Sequence, residues 1–215
     1  MSAVDIAIVL YDRFTALDAV GPYEVLRNLP GATVTFVAVE AGPVRADSRM
    51  LTLVADRALA DLPAPEVVVV PGGPGQSDHM EDEVLLSWLR TAHETAQWTT
   101  SVCTGSLLLA AAGLLDGKRA TSHWLALDVL RQYGAEPTPE RVVEQGTIIT
   151  AAGVSAGIDM ALVLAARIAG DDVAQAIQLG IEYDPQPSFD AGSPAKAPAH
   201  LVELLRGNSR HILQG

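Results

Sequence analysis

The sequence holds one cysteine among 215 residues, so no intrachain disulfide is available and the fold must be held by its packed core. That usage fits a reducing compartment, and a cytoplasmic protein is expected. Basic residues are scarce: 14 Lys and Arg against 26 Asp and Glu leave a formal charge of -12. A surface of that sign repels phosphate backbones, which argues against nucleic acid as a partner. Long hydrophobic runs are missing too. The longest, around Leu107–Leu115 and Met160–Ala169, are too short to span a bilayer. Met1-Ser2-Ala3-Val4-Asp5 carries no basic stretch ahead of its short apolar run, so no signal peptide is expected. None of the five histidines has metal-ligand spacing to a cysteine or carboxylate cluster, so the expectation is no metal and no cofactor. No internal repeat is visible.

What is present is an alternation of short β-branched runs with helical stretches. Ile6–Leu10, Thr33–Val39, Val67–Val70, Thr99–Val102 and Thr147–Ala151 read as strands. Val67-Val68-Val69-Val70 is apolar throughout, as a parallel strand buried on both faces requires. Helices are expected near Gly21–Asn28, Asp82–Ala96, Gly105–Gly113, Trp124–Tyr133 and Val154–Ile168, with a small hairpin from Gly42 to Leu53. The alternation implies an α/β fold: a mostly parallel sheet with helices on both faces. At this length one domain is expected, residues 1–184. Pro185, Pro187, Pro194 and Pro198 then interrupt the chain, so 185–215 reads as an arm ending in a short helix near His200–Arg206.

Three segments carry candidate chemistry. In Thr99-Thr100-Ser101-Val102-Cys103-Thr104-Gly105-Ser106 a strand runs into a cysteine and then directly into a helix. A lone cysteine is commonly an inert buried thiol. At a strand-to-helix elbow it faces the ligand edge of a parallel sheet, and the helix N-terminus favours a thiolate. Val70-Pro71-Gly72-Gly73-Pro74-Gly75 follows the most apolar strand. Gly72 and Gly73 can offer N–H groups to developing negative charge, with Gly73 the preferred donor, or form no more than a tight turn. It lacks the spacing of a Walker or dinucleotide loop. In Leu17-Asp18-Ala19-Val20-Gly21-Pro22-Tyr23-Glu24, Pro22 suits a first helical turn, leaving Asp18 in the turn after the first strand, as an acid or a cap. Glu24 is either solvated or turned in behind the site. His123, in Ala120-Thr121-Ser122-His123-Trp124, is expected at the pocket border. His79, His93, His200 and His211 are expected at the surface.

Together these motifs resemble the ThiJ/PfpI superfamily of class I glutamine amidotransferase-like proteins, from the first strand to about Gly170. The resemblance implies a flavodoxin-like three-layer sandwich with a nucleophile-elbow cysteine, Cys103, and a homodimer. The protease-like branch places histidine directly after the cysteine, where this chain has Thr104. Amidotransferases place one after a late strand, and Thr150-Ala151-Ala152-Gly153-Val154-Ser155 has none; Ser101 also stands where they prefer glycine. The likeness is strongest to the isonitrile-hydrating branch. It implies Cys103, Asp18 and Thr104 as catalytic residues, and a lyase that converts R–N≡C to an N-substituted formamide through a Cys103 thioimidate. Gly72, Gly73, Glu24 and His123 would line the substrate. Two other readings stay open. One is a stand-alone ligand or oxidation sensor, since related domains form the sensor half of regulators; here no room is expected for a further DNA-binding domain of about 100 residues. The other is an enzyme of the glyoxalase or deglycase type.

Overall fold

The computed structural model describes residues 3–207; His211 and the end of the expected arm, 208–215, lie outside them. In chain order the elements are β1 (Val4–Val9), α1 (Ala16–Leu26), β2 (Ala32–Ala38), β3 (Gly42–Arg45), β4 (Thr52–Ala55), β5 (Arg57–Ala58), β6 (Val67–Val70), α2 (Glu83–Thr95), β7 (Trp98–Val102), α3 (Gly105–Ala111), β8 (Arg119–Ala120), β9 (Glu136–Pro137), β10 (Val142–Gln145), β11 (Ile148–Ala151), α4 (Ala156–Ala169), α5 (Asp171–Gly180) and α6 (Ala199–Gly207). Seven strands form the central sheet in the order β10-β11-β7-β6-β1-β2-β5, and only the β10–β11 pair is antiparallel.

Local chemistry explains these choices. All four valines of β6 are fully buried, as expected for a strand with helices on both sides. Each such side chain contributes roughly 1.5–3 kcal/mol by leaving water. Thr99 of β7 hydrogen-bonds His93 of α2, whereas Val102 packs on Gly157 of α4. Residues an odd number apart on a strand point to opposite faces, so α2 and α4 lie on opposite sides of the sheet. Asp82 caps α2 by accepting from the amides of Val84 and Leu85. The result is a flavodoxin-like three-layer sandwich. Among the described residues no helix is long and apolar enough to cross a membrane.

Several sequence-based expectations change. The first helix starts at Ala16, five residues earlier than expected, so Asp18 sits in its first turn and Pro22 inside it. Pro22 gives up one intrahelical bond but packs its ring beside Gly157, where α1 and α4 approach closely. Trp124–Tyr133 is not an α-helix: a 3-10 turn spans Leu127–Tyr133, and the His123 ring accepts the Leu125 N–H. Helix α5 was missed, although Asp171 and Asp172 at its start complement the helix dipole. The four-residue β10 was missed as well.

Candidate active site

The strand register brings distant segments to one edge. Val69 pairs with Ile8, Val70 with Ser101, and Val102 with Ala151, so the loops after β1, β6, β7 and β11 leave the sheet side by side. Successive strands are added outward from β1 on one side and from β6 on the other, so the strand order switches between these two parallel strands, the position at which parallel sheets open a crevice.

Cys103 occupies the elbow between β7 and α3 with φ of 58°, a left-handed conformation that is costly for a side chain other than glycine. Four hydrogen bonds hold it there. Its N–H is shared between the carbonyls of Ala151 (3.1 Å) and Ala152 (3.0 Å). Its carbonyl accepts the hydroxyls of Ser106 and Ser122, both at 3.1 Å. The thiol is thereby driven off the end of the strand toward α1.

There it meets Asp18. The carboxyl is fully buried; Gly72 N–H donates to Oδ2 at 2.9 Å across the β1/β6 gap, and Oδ1 has no hydrogen-bond partner of ordinary geometry. Burial lifts the Asp18 pKa to about 7, opposed by the Gly72 bond and the Cys103 thiol and assisted by the charge of Asp47. The thiol is also held protonated, by burial first and by Asp18 second, against the amides of Val154 and Thr104 directed at the sulfur. This corrects the expectation of a helix-stabilised thiolate: two amides do not offset removal from water beside an acid. The pair is also more enclosed than an open cleft, with Cys103 only 5% exposed. A cavity of about 510 Å³, lined by Arg27, Val173 and Ile177 among others, lies elsewhere, between the end of α1 and α5.

Gly72 and Gly73 are spent inside the protein. A Cβ on Gly72 would sit 2.5 Å from the Thr104 nitrogen, so only glycine allows the two loops to touch. Gly73, at φ of 139°, donates its N–H to Thr104 Oγ1 at 2.9 Å, and that hydroxyl approaches the Gly73 carbonyl at 3.4 Å. The expectation of Gly73 as a free donor is therefore corrected: its N–H and the Thr104 hydroxyl satisfy one another. Thr104→Val should strand the buried Gly73 N–H and cost about 1–3 kcal/mol in urea unfolding, whereas Thr104→Ser should stay within about 1 kcal/mol of the parent.

Glu24 is exposed and pairs with Arg27, outside the site, because its position in α1 points away from α4 and the sheet. His123 does border the loop after β11: its ring lies where a Gly153 side chain would project, and burial lowers its pKa. His79 and His93, expected at the surface, are half-buried. His79 bonds Asp82 and lies 5.2 Å from the Tyr11 ring, and His93 faces Thr99. His200 is exposed as expected.

Two neighbours went unnoticed in the sequence. Tyr11, fully buried, donates its hydroxyl to the Pro71 carbonyl at 2.8 Å and holds its proton tightly through burial and through the charges of Asp18 and Cys103. Asp47, on the β3–β4 loop, accepts the Thr15 hydroxyl at 2.8 Å. Tyr11 stands two residues past the end of β1 and so carried a positional signal; Asp47 carried none. Among the described residues no cluster of three His, Cys, Asp or Glu is arranged to hold a metal ion.

Known proteins share this arrangement of elements. Isonitrile hydratase of Pseudomonas putida is 46% identical over 204 residues, 95% of this chain and 89% of that protein. The HTH-type transcriptional regulator CdhR of Pseudomonas aeruginosa is 34% identical over 140 residues, 64% of this chain and 41% of the regulator. The crystal structure of a ThiJ/PfpI family protein from Pseudomonas syringae superposes with a TM-score of 0.95 at 38% identity, covering 99% of this chain and 88% of that one. Residues 4–167 match the DJ-1/PfpI family along their whole length, and with the elbow cysteine and its fold in place the chain belongs to that family.

Proposed function

We propose that this chain is a lyase that hydrates isonitriles to N-substituted formamides, with Cys103 as nucleophile and Asp18 as proton relay. The observation that carries the reading is a carboxylic acid buried against a thiol, with a pKa of about 7 that leaves about half of it protonated at neutrality. A terminal isonitrile carbon accepts a nucleophile and a proton at the same atom, and this pair offers both from one side. The slight exposure of Cys103 suits a group that reacts at the tip of a linear N≡C unit, and the similarity to isonitrile hydratase supports the same substrate class.

The steps balance without any outside reagent. Asp18 gives its proton to the isonitrile carbon while the Cys103 sulfur bonds to that carbon; the thiol proton passes to the Asp18 carboxylate. The product is the thioimidate R–N=CH–S–Cys103, with Asp18 again neutral. Water then adds to the same carbon, losing a proton to one carboxyl oxygen while the other protonates nitrogen. The tetrahedral R–NH–CH(OH)–S–Cys103 collapses as the C–S bond breaks. Its hydroxyl proton travels through Asp18 to sulfur, releasing R–NH–CHO and the thiol. Thr104 supports this by locking Gly73 and by turning its amide toward the sulfur. Gly72 orients the acid.

The direct test is infrared: incubation with small alkyl and aryl isonitriles should remove the N≡C band as formamide appears. Tight binding without turnover would instead favour a ligand sensor, and turnover of methylglyoxal alone a glyoxalase-type enzyme. A cytoplasmic setting suits the free thiol. The exposed apolar side chains Leu179, Phe189, Leu204 and Leu205 support a second copy of the chain as partner, in a homodimer.

A further inference from the structure

We infer that Arg141 is a positioning residue for the Cys103 thiol, gripping the loop after β11 at both of its ends. That loop, Ala152–Ser155, is tied to the nucleophile directly, because the Cys103 N–H is shared by the carbonyls of Ala151 and Ala152. Its third residue, Val154, is near enough to the sulfur for its amide to favour the thiolate. To do so Val154 adopts φ of 30°, a conformation that a β-branched residue resists and that the surroundings must enforce.

Arg141 is placed to enforce it. It immediately precedes β10, the antiparallel partner of β11, so it lies beside the point where β11 ends. Its carbonyl accepts the Ala152 N–H at 2.9 Å. Its Nη2 reaches Ser155 Oγ at 3.3 Å, and its Nε donates to Asp159 Oδ2 at 2.6 Å in the first turn of α4. The Tyr183 hydroxyl approaches the other Asp159 oxygen at 3.2 Å. One residue thus holds the loop by its backbone at 152 and by its side chain at 155, with the strained Val154 between. An ion pair as exposed as Arg141–Asp159 adds little to overall stability, so its consequence should appear at the loop. The titratable groups facing the sulfur are Asp18 and Tyr11, and neither is a hydrogen-bond partner of Arg141.

The inference needs Cys103 as the working nucleophile only for its kinetic consequence, so the test has two arms. Cys103 is the sole cysteine, and its alkylation by iodoacetamide can be followed by intact mass over a pH series without ambiguity. Arg141→Ala, and Ser155→Ala, which leaves the Arg141–Asp159 pair intact, should each slow that alkylation about tenfold at every pH through loss of an amide that favours the thiolate. Arg141→Lys, which keeps the charge but not the forked geometry, should behave like the alanine variant. In the second arm, kcat for isonitrile should fall about tenfold, with KM within about twofold. Unchanged alkylation rates in both alanine variants, or full restoration by lysine, would overturn the inference. If the parent turned over no isonitrile, the hydratase reading would fail, and the alkylation rates would still decide the role of Arg141.

Discussion

Replacing Cys103 by alanine should abolish isonitrile hydration, with a loss on the order of 10⁴-fold or more in kcat, while the protein remains folded. The loss follows from the order of events: without sulfur no thioimidate forms, and Asp18 alone would have to deliver water and proton to a poorly electrophilic carbon. The fold should survive because the elbow is held by backbone and serine hydroxyls. The bonds from the Cys103 N–H to Ala151 and Ala152, and to its carbonyl from Ser106 and Ser122, do not involve the thiol. Alanine at φ of 58° carries the same kind of backbone penalty as cysteine. Quenched reactions of the parent should show a mass increase of one isonitrile on the protein, absent from Cys103→Ala. Retention of full turnover in the alanine variant would eliminate covalent catalysis.

Asp18→Asn should separate activity from stability. Loss of a positioned acid typically costs 10²–10⁴-fold in rate, and asparagine has no proton to relay. Yet the substitution should stabilise the fold above neutral pH. The Asp18 pKa rises from 3.8 to about 7 on folding, chiefly by burial. The native state therefore holds the proton more tightly than the unfolded chain does. Stability is fully present below about pH 4 and is lost progressively as pH rises toward about 7. Over roughly three units, at 1.36 kcal/mol each, the buried carboxylate costs about 4 kcal/mol above neutrality. Asparagine avoids that cost and still offers an oxygen to the Gly72 N–H. Urea unfolding should show a gap between variant and parent that widens from about pH 4 to about pH 7 and stays level beyond. In the parent, kcat/KM should decline about tenfold per unit above pH 7 as the acid is lost. A pH-independent gap would show that Asp18 is not a buried, raised acid.

This trade explains the local architecture. A carboxyl beside a thiol, both without water, is unfavourable for folding, and the chain offsets it with the all-valine β6, the serine bonds to the elbow and the closed Gly73–Thr104 contact. Strain at Cys103 and Val154 falls on the two residues whose atoms meet at the sulfur.

Much of this was legible along the chain. Four consecutive valines announce a strand buried on both faces, because no other element hides such a run so economically in length. A strand running into Cys103 and then Gly105 announces an elbow, and Gly72-Gly73 announces a close backbone approach. These are local rules of period, volume and φ/ψ, and the residues that obey them are neighbours in sequence. The sequence therefore determined by itself the parallel α/β frame, the place of the thiol at its edge and the family to which these motifs belong.

Only the tertiary structure decided which partners each group has. Asp18 meets the Gly72 amide, Gly73 is consumed by Thr104 and Glu24 is turned to solvent, because strand register and the rotation of α1 set which face each residue presents. Asp47 and Arg141 reach their places through a hairpin loop and an antiparallel edge strand, neither of which has a period to read. Protonation of the acid and thiol was likewise beyond the sequence, since a pKa is set by the water excluded and the charges brought near, and both are properties of the folded packing.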